Sequence, residues 1–287
     1  FAVAAARHGG LTAVRGDAHY IYVAALSLVD DADLDLTNQY RQTHDRWKLG
    51  RDPAADGTRL PVRELGPSFL MVPGLAVHRL LGADPALRAS AAVALAAAST
   101  GLACAGVAAA IAALARRRGR DLPPRRRELL ALAATLGFVV PYYGIGTAGY
   151  AHAPDAAACA WLTYLAHAGA PPGRLGLAVA VALLMRLQNA LWLVLAPLLA
   201  RPPGRRRALF AGVAATATAL LGLAPQLYLS LAHPGSKRGA IRWSLDFFDL
   251  DHLGRDLGVV LVGVHGLLTW TPIAALAVLG LALGLRD

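Results

Sequence analysis

Long apolar runs separated by two short arginine-rich segments are the feature that most limits how this chain of 287 residues can fold. A helix that crosses a bilayer needs about 20 mostly apolar residues, and runs of this length recur along the sequence. Hydrophobic residues make up 56% of the chain and charged residues 16%, whereas soluble domains carry about 25% charged residues. The pattern therefore predicts an all-α fold, a polytopic bundle of transmembrane helices, and argues against a soluble globular protein.

The two arginine-rich segments account for the whole net charge of +10. Residues 116–127 hold seven arginines and one aspartate, and residues 201–207 hold four arginines. Charge concentrated in two short loops between apolar runs is typical of cytoplasmic loops of membrane proteins, so the positive-inside rule places both in the cytoplasm. The partner that this predicts is the lipid bilayer, and no nucleic acid is expected.

The apolar runs predict the order of spans. Spans are expected at 86–115, 128–145, 150–168, 175–200, 208–231 and 258–284, after the end of an earlier helix at 1–6. The run 67–82 is shorter and contains Pro73, so it fits a re-entrant or interfacial helix or the start of a span. Residues 1–287 then form a single transmembrane domain, with external loops at 7–66 and 232–257. Because the chain opens at Phe1 within an apolar run, we expect it to be a fragment of a longer protein.

The span order contains one inconsistency, which points to residues 175–200. Two cytoplasmic loops must be separated by an even number of crossings, yet three predicted spans lie between 116–127 and 201–207. The run 175–200 carries Arg186, Gln188 and Asn189 near its centre. An arginine at mid-membrane costs about 2.5–3.5 kcal/mol even on lenient scales. We therefore predict that this run breaks into two half-helices, with Arg186 and Asn189 at a turn that faces an external, water-filled cavity.

The first external loop holds the densest group of side chains that could do chemistry. Asp17, His19 and Tyr20 come directly after the first apolar run, at the start of a predicted helix over 17–29 that Asp17 caps. The acidic residues that follow are Asp30, Asp31, Asp33 and Asp35. Carboxylates just outside a membrane can act as a general base or hold a divalent cation. The same spacing also fits a helix N-cap followed by a solvated acidic turn.

The string GDAHYIYVAALSLVDDADLDLTNQY, over residues 16–40, resembles the first-loop signature of bacterial GT-C glycosyltransferases. These polytopic membrane enzymes of the family 39 type are relatives of protein O-mannosyltransferases and the lipid A aminoarabinose transferase. Four later segments are similar to the same family in order, at 141–161, 184–197, 224–229 and 263–273. The segments match in order over nearly the whole chain, and the first-loop string and HGLLTWTP are the most specific parts.

The resemblance implies a glycosyltransferase that takes its sugar from a polyprenyl-phosphate donor and gives it to an acceptor hydroxyl. It assigns Asp17 to activating or positioning the acceptor, and allows Asp33 and Asp35 to support it or to bind a cation. A divalent cation is therefore possible, and no other cofactor is expected. Ala18 departs from the pattern, because many relatives carry an acidic residue there.

The leaving phosphate requires positive or hydrogen-bonding groups, because negative charge develops on it during transfer. Arg186 is the first candidate, since an arginine inside a membrane usually serves a function. The other predicted substrate-binding residues are His19, Tyr20, Arg63, His152, Asn189 and His265. Four of these residues have a simpler interpretation: snorkelling or pairing within the bundle for Arg186, a solvated loop for Arg63, an interfacial histidine for His152 and a core histidine for His265.

The predicted protein is thus a membrane glycosyltransferase of the bacterial inner or plasma membrane, with its site on the external, periplasmic side. The acceptor is expected to be a lipid, a glycan or a protein. Two alternatives stay open at this point. One is a transporter or flippase, because such proteins also place polar residues at the midplane. The other is a non-catalytic relative that keeps the fold, for which Ala18 is the only indication.

Overall fold

A computed structural model describes residues 16–42, 56–137, 140–147 and 149–200, together with isolated positions outside these ranges. The described residues are mostly helical and include no β-strand, which confirms the all-α prediction. The predicted elements at 1–6, 201–207, 232–257 and 258–284 lie outside the described residues, and 208–231 is described only at scattered positions.

Eight α-helices follow one another in the described part of the chain. They are α1 (Asp17–Asp30), α2 (Thr37–Gln42), α3 (Leu65–Leu80), α4 (Arg88–Arg117), α5 (Pro124–Leu136), α6 (His152–His167), α7 (Pro172–Met185) and α8 (Trp192–Ala200). Short 3₁₀ turns at Pro85–Leu87 and Leu187–Leu191 and a π-helical turn at Tyr142–Gly146 connect some of them.

Helix α1 lies in the core, although the sequence placed it in a polar external loop. Its buried residues run almost without a gap from Ala18 to Ser27, and α3 packs against it. Asp17 is the first residue of the helix, so the prediction that it is the N-cap is wrong. Gly16 takes the cap position with φ 58° and ψ −131°, a conformation open essentially to glycine alone.

Helix α4 is the longest element, and it contacts α3, α5 and α6. With the 3₁₀ turn before it, Pro85–Arg117 is the one described helix that is long and apolar enough to cross a membrane. Its 33 residues at 1.5 Å each exceed the roughly 30 Å of a bilayer core. This agrees with the predicted span at 86–115, and α4 ends with Arg116 and Arg117, the first two residues of the predicted arginine loop.

The predicted span 128–145 is not one continuous helix. Helix α5 starts earlier, at Pro124, and ends at Leu136. A separate π-helical turn, Tyr142–Gly146, covers the end of the predicted span. Pro141 explains part of the difference, because proline supplies no backbone N–H and restricts the residue before it. Gly144 sits so close to α4 that a Cβ there would lie 1.6 Å from the Thr100 Oγ1 atom.

The predicted break near Arg186 is confirmed. Helix α7 ends at Met185, Arg186 is extended with φ −155° and ψ 133°, and a 3₁₀ turn leads into α8. Helices α7 and α8 are both neighbours of α6, so the chain folds back on the same partner at either side of the break. The polar residues of this run therefore sit at a helix end rather than along a helix face.

Candidate functional site

Four separate segments bring polar side chains to one place in the described structure. They are the start of α1, the loop just before α3, the start of α6, and the break between α7 and α8. Five predicted site residues meet there: Asp17, Arg63, His152, Arg186 and Asn189. These residues span a large part of the sequence, so only the helix packing brings them together.

Asp17 and Arg63 form an ion pair across the first connection of the fold. The Arg63 Nη2 atom donates to Asp17 Oδ1 at 2.5 Å. The side chain of Arg63 is 14% exposed, whereas that of Asp17 is 46% exposed. Among the described residues, no hydrogen bond is made to the second carboxylate oxygen of Asp17. The pair thus holds a carboxylate in place while one of its oxygens stays open to an incoming group.

Arg186 and His152 form the second pair. The Arg186 Nη1 atom donates to His152 Nδ1 at 2.8 Å. A guanidinium carries donors only, so the ring nitrogen that faces it must accept, and His152 is then a neutral imidazole with its proton on Nε2. With the Gln188 amide oxygen turned toward Arg186, that oxygen accepts from Nε and Nη2 at 3.1 Å each. Asp17 also acts electrostatically on His152, which links the two pairs.

Two tyrosines surround the His152 ring. The Tyr143 ring centroid lies 4.0 Å from that of His152, and the Tyr150 ring stacks on it at 6.1 Å. Tyr150 also reaches the start of α1, because a Cβ on Gly16 would lie 2.3 Å from its hydroxyl oxygen. The close approach requires glycine there, and it brings Tyr150 to the residue just before Asp17.

Asp155 was not singled out in the sequence, yet it is a second acid of the site that accepts a short hydrogen bond. Its Oδ1 atom accepts from Asn189 Nδ2 at 2.5 Å, and the same nitrogen donates to the Ala182 carbonyl at 2.7 Å. Cys159, which is a free thiol, lies 3.6 Å from Asn189 Oδ1. A sequence signal was present, since Asp155 follows His152 at helical spacing and both therefore share one face of α6.

Glu64 is a second acid that the sequence analysis missed. It is the residue before α3 and directly follows Arg63 in the chain. It acts electrostatically on Asp155, as does Arg186, so it belongs to the same charged neighbourhood. The signal for it was its position next to Arg63, at the end of a polar loop and the start of an apolar run.

Tyr20 faces the core, and His19 is partly buried and lies against it. Tyr20 is 1% exposed, and its ring lies 5.5 Å from that of His19 and 6.4 Å from that of Tyr40. Ala18 is completely buried in a second cluster with residues of α3 and α4. An acidic side chain at position 18 would be buried in that cluster, which gives a packing reason for alanine here.

Asp33 and Asp35 are not brought together with Asp17. Asp33 accepts from the Ser27 hydroxyl at 2.7 Å, and Ser27 is about 15 Å along α1 from Asp17 at 1.5 Å per residue. Asp35 accepts from the Thr37 hydroxyl at 2.6 Å and from the backbone N–H of Arg59 at 3.0 Å. Burial alone would raise the pKa of Asp35, but these hydrogen bonds hold the pKa below its ordinary value.

No group of three or more histidine, cysteine or acidic side chains that could hold a metal ion occurs within the described ranges. The possible cation at Asp33 and Asp35 therefore has no third ligand of these types there. His265, the remaining predicted site residue, lies outside the described residues.

Comparison with known proteins adds no relative: no family model matches the chain, and no curated protein or solved structure is similar to it at a significant level.

Proposed function

We propose that this protein is a membrane glycosyltransferase that moves a sugar from a polyprenyl-phosphate donor to an acceptor hydroxyl, at the external face of the membrane. The observation that carries the proposal is the meeting of the Asp17–Arg63 and His152–Arg186 pairs at a helix break. One open carboxylate and two guanidinium groups in a single site suit a reaction that needs both a base and a charged clamp.

Asp17 is proposed as the base that receives the proton of the acceptor hydroxyl. Its partner Arg63 orients the carboxylate, and the carboxylate oxygen that Arg63 does not contact leaves room for the acceptor. In the transfer step the acceptor oxygen forms a bond to the anomeric carbon while the bond from that carbon to the phosphate oxygen breaks. The bonding electrons leave with the lipid phosphate, and the proton of the acceptor passes to Asp17.

Arg186 is proposed to hold the lipid phosphate. A guanidinium can donate two parallel hydrogen bonds to phosphate oxygens, and its charge offsets the charge that develops on the leaving group. His152 takes one N–H of Nη1, and the Gln188 oxygen takes one each of Nε and Nη2, which leaves one N–H on each of Nη1 and Nη2 for a ligand. The neutral imidazole beside it offers a further N–H donor from Nε2.

The outer surface of the described helices supports a place in a bilayer. Only 22% of the residues in the most apolar stretch of Pro85–Arg117 are buried, whereas the core helix of a soluble protein is mostly buried. Large apolar side chains are exposed on several helices, including Leu80, Leu95, Leu102, Leu129, Leu130, Leu136, Trp161, Leu177, Val181 and Val194. Surfaces of this extent are typical of contact with lipid or with partner proteins.

Close helix contacts at small residues point the same way. A Cβ on Gly74 would lie 2.0 Å from the Ala91 carbonyl oxygen, and one on Gly66 would lie 2.3 Å from that of Leu184. Helices in membranes associate through such close backbone approaches, because apolar side chains gain little by leaving lipid for one another. We therefore propose a polytopic GT-C-like bundle, with the arginine loop at 116–127 in the cytoplasm.

The second candidate is a transporter or flippase, and the helix break at Arg186 favours it. Discontinuous helices with polar residues at the break are common at the substrate sites of transporters. The open carboxylate of Asp17 favours the transferase, because transport alone gives a general base no task. Movement of a labelled polyprenyl phosphate across vesicles, without any sugar transfer, would support the transporter.

Sugar transfer in membranes is the direct test. Membranes that contain the full protein are incubated with polyprenyl phosphates that carry different radiolabelled sugars, and label is followed into lipid, glycan and protein fractions. Transfer of one sugar above the level in membranes without the protein is expected. Absence of transfer from every lipid-linked sugar, with uptake or flipping of the lipid instead, would reject the transferase.

A further inference from the structure

Asp155 stands one helical turn from His152, and the two side chains hold different parts of the same helix break. His152 contacts the Arg186 side chain, whereas Asp155 contacts Asn189, three residues beyond Arg186. Both are on the first turn of α6. The start of α6 therefore contacts both the guanidinium of Arg186 and the turn that follows Arg186 in the chain.

Asn189 joins Asp155 to the backbone at the end of α7. Its Nδ2 atom donates both to Asp155 and to the carbonyl of Ala182 in the last turn of α7. The backbone N–H of Arg186 donates to the same Ala182 carbonyl at 3.0 Å. Asn189 is 8% exposed, so these hydrogen bonds are shielded from water. The end of α7 and the 3₁₀ turn are thus joined through one amide group.

We propose that Asp155 is a positioning residue, which acts through Asn189 to keep Arg186 extended and aimed at the phosphate group of the donor. The role rests on the proposed function only for the identity of the ligand. An arginine on a loose turn would lose entropy when it binds an anion, whereas one held in advance does not. Asp155 itself makes no contact with substrate in this role.

The first experiment is a double-mutant cycle that measures the binding of decaprenyl phosphate to the full protein in detergent micelles. Arg186→Ala is expected to weaken binding by about 10–100-fold, since hydrogen bonds to charged groups are strong. Asp155→Ala is expected to weaken it by about tenfold with Arg186 present, and by less than about twofold with Arg186→Ala, because the two act as one unit. Equal loss in both backgrounds, or no loss with Arg186 present, would overturn the proposal.

The conservative variant separates positioning from a direct effect of charge. Asp155→Asn keeps an oxygen that can accept from Asn189, so binding is expected to stay within about threefold of wild type. If Asp155→Asn weakened binding as much as Asp155→Ala, the effect would come from the negative charge itself, and this would overturn the proposal. Asp30→Ala, which removes a carboxylate at the far end of α1, is the control and should leave binding unchanged.

A second readout does not depend on the ligand. Phenylglyoxal modifies accessible arginines, and peptide mass spectrometry measures its rate at Arg186 alone. Both Asp155→Ala and Asn189→Ala should raise that rate by about fivefold or more, because each frees the turn. An unchanged rate would show that the turn does not depend on these two side chains, and failure of both variants to fold would show a general structural role. Either result would overturn the proposal. If the wild type does not bind decaprenyl phosphate but the modification rate of Arg186 rises in both variants, the result contradicts the proposed function and supports the positioning role.

Discussion

The two ends of α1 carry the same kind of ion pair in different surroundings. At the first end Arg63 contacts Asp17 at 2.5 Å, and at the second end Arg88 contacts Asp30 at 2.5 Å. The first pair adjoins His152 and the helix break. The second lies on the surface, where Arg79, 59% exposed, also approaches Asp30 at 3.9 Å.

The difference teaches that an Arg–Asp pair does not identify a site by itself. Surface pairs contribute little to stability and often serve only to tie segments together. What distinguishes the Asp17 end is an arginine that is 14% exposed, a carboxylate with one open oxygen, and a second arginine on a broken helix.

The largest effect is expected for the two carboxylates. Asp17→Asn removes the proposed base and should lower sugar transfer by at least about 100-fold, the usual lower value for general base catalysis. Asp30→Asn removes the matched carboxylate and should change transfer by less than about twofold. Rates are measured with the lipid-linked sugar that the wild type uses. Equal rates for the two variants would mean that Asp17 is not the base.

Two glycines with similar φ angles, one before α1 and one after α3, test the close approach of Tyr150 to Gly16. Gly16 has φ 58° and faces Tyr150, whereas Gly82, after α3, has φ 55° and no atom within 4 Å of its Cβ direction. Gly82→Ala should cost about 1–2 kcal/mol, the penalty of the left-handed region. Gly16→Ala should cost about 1–3 kcal/mol more, from the clash with the tyrosine hydroxyl and from a ψ of −131° that suits glycine alone. Thermal unfolding in detergent measures both, and similar losses would argue against the close approach.

Replacing each of the two arginines should give a smaller difference, which is expected in the free energy of unfolding. Arg63→Ala leaves Asp17 without its partner and should cost about 1.5–3 kcal/mol, the range for hydrogen bonds to charged groups. Arg88→Ala breaks a pair that is about one third exposed on both sides, so its cost should stay below about 1 kcal/mol. The free energy of unfolding decides between them, and a larger cost for Arg88 would contradict this comparison.

Much of the site could be predicted from the sequence because its residues conflict with their surroundings. Arg186 and Asn189 interrupt an apolar run, and the parity of the spans required that one of three predicted spans be wrong, which favoured a break in this run. Asp155 and Glu64 were missed because neither conflicts with a pattern: one starts an ordinary helix, and the other ends a polar loop. Asp155 matters through its hydrogen bond from Asn189, and Glu64 through its electrostatic effect on Asp155, and both depend on how α3, α6 and α7 pack.

The burial of α1 shows the same limit in the fold. The polar residues around it indicated an external loop, but its own face pattern is apolar on nearly all sides, which is typical of a buried helix. The acidic run after α1 was ambiguous for a related reason. Carboxylates at alternating positions fit a catalytic group as well as a turn, and only their partners distinguish the two. Ser27, Thr37 and the Arg59 backbone satisfy Asp33 and Asp35.

The smallest effect is expected in this acidic loop, and it depends on pH. Because hydrogen bonds lower the pKa of Asp35 from its ordinary value of 3.8, the ionised form stabilises the folded loop. The contribution is complete above the ordinary pKa and is lost as the pH falls below it, through the folded value. Asp35→Asn should therefore destabilise the loop by about 1 kcal/mol at neutral pH, with a smaller difference from wild type below about pH 4.

Hydrogen exchange of the Thr37 and Arg59 backbone amides measures this locally, since both donate to Asp35. Exchange in the variant should be faster than in wild type at neutral pH, and the ratio of the two rates should approach one in acid. Asp121→Asn, an exposed carboxylate in the arginine loop, should change neither amide. A ratio that stays constant with pH would mean that the amides depend on packing around Leu36 rather than on the Asp35 charge. Sugar transfer should be affected far less than by Asp17→Asn, because this loop adjoins Ser27 and not the paired arginines.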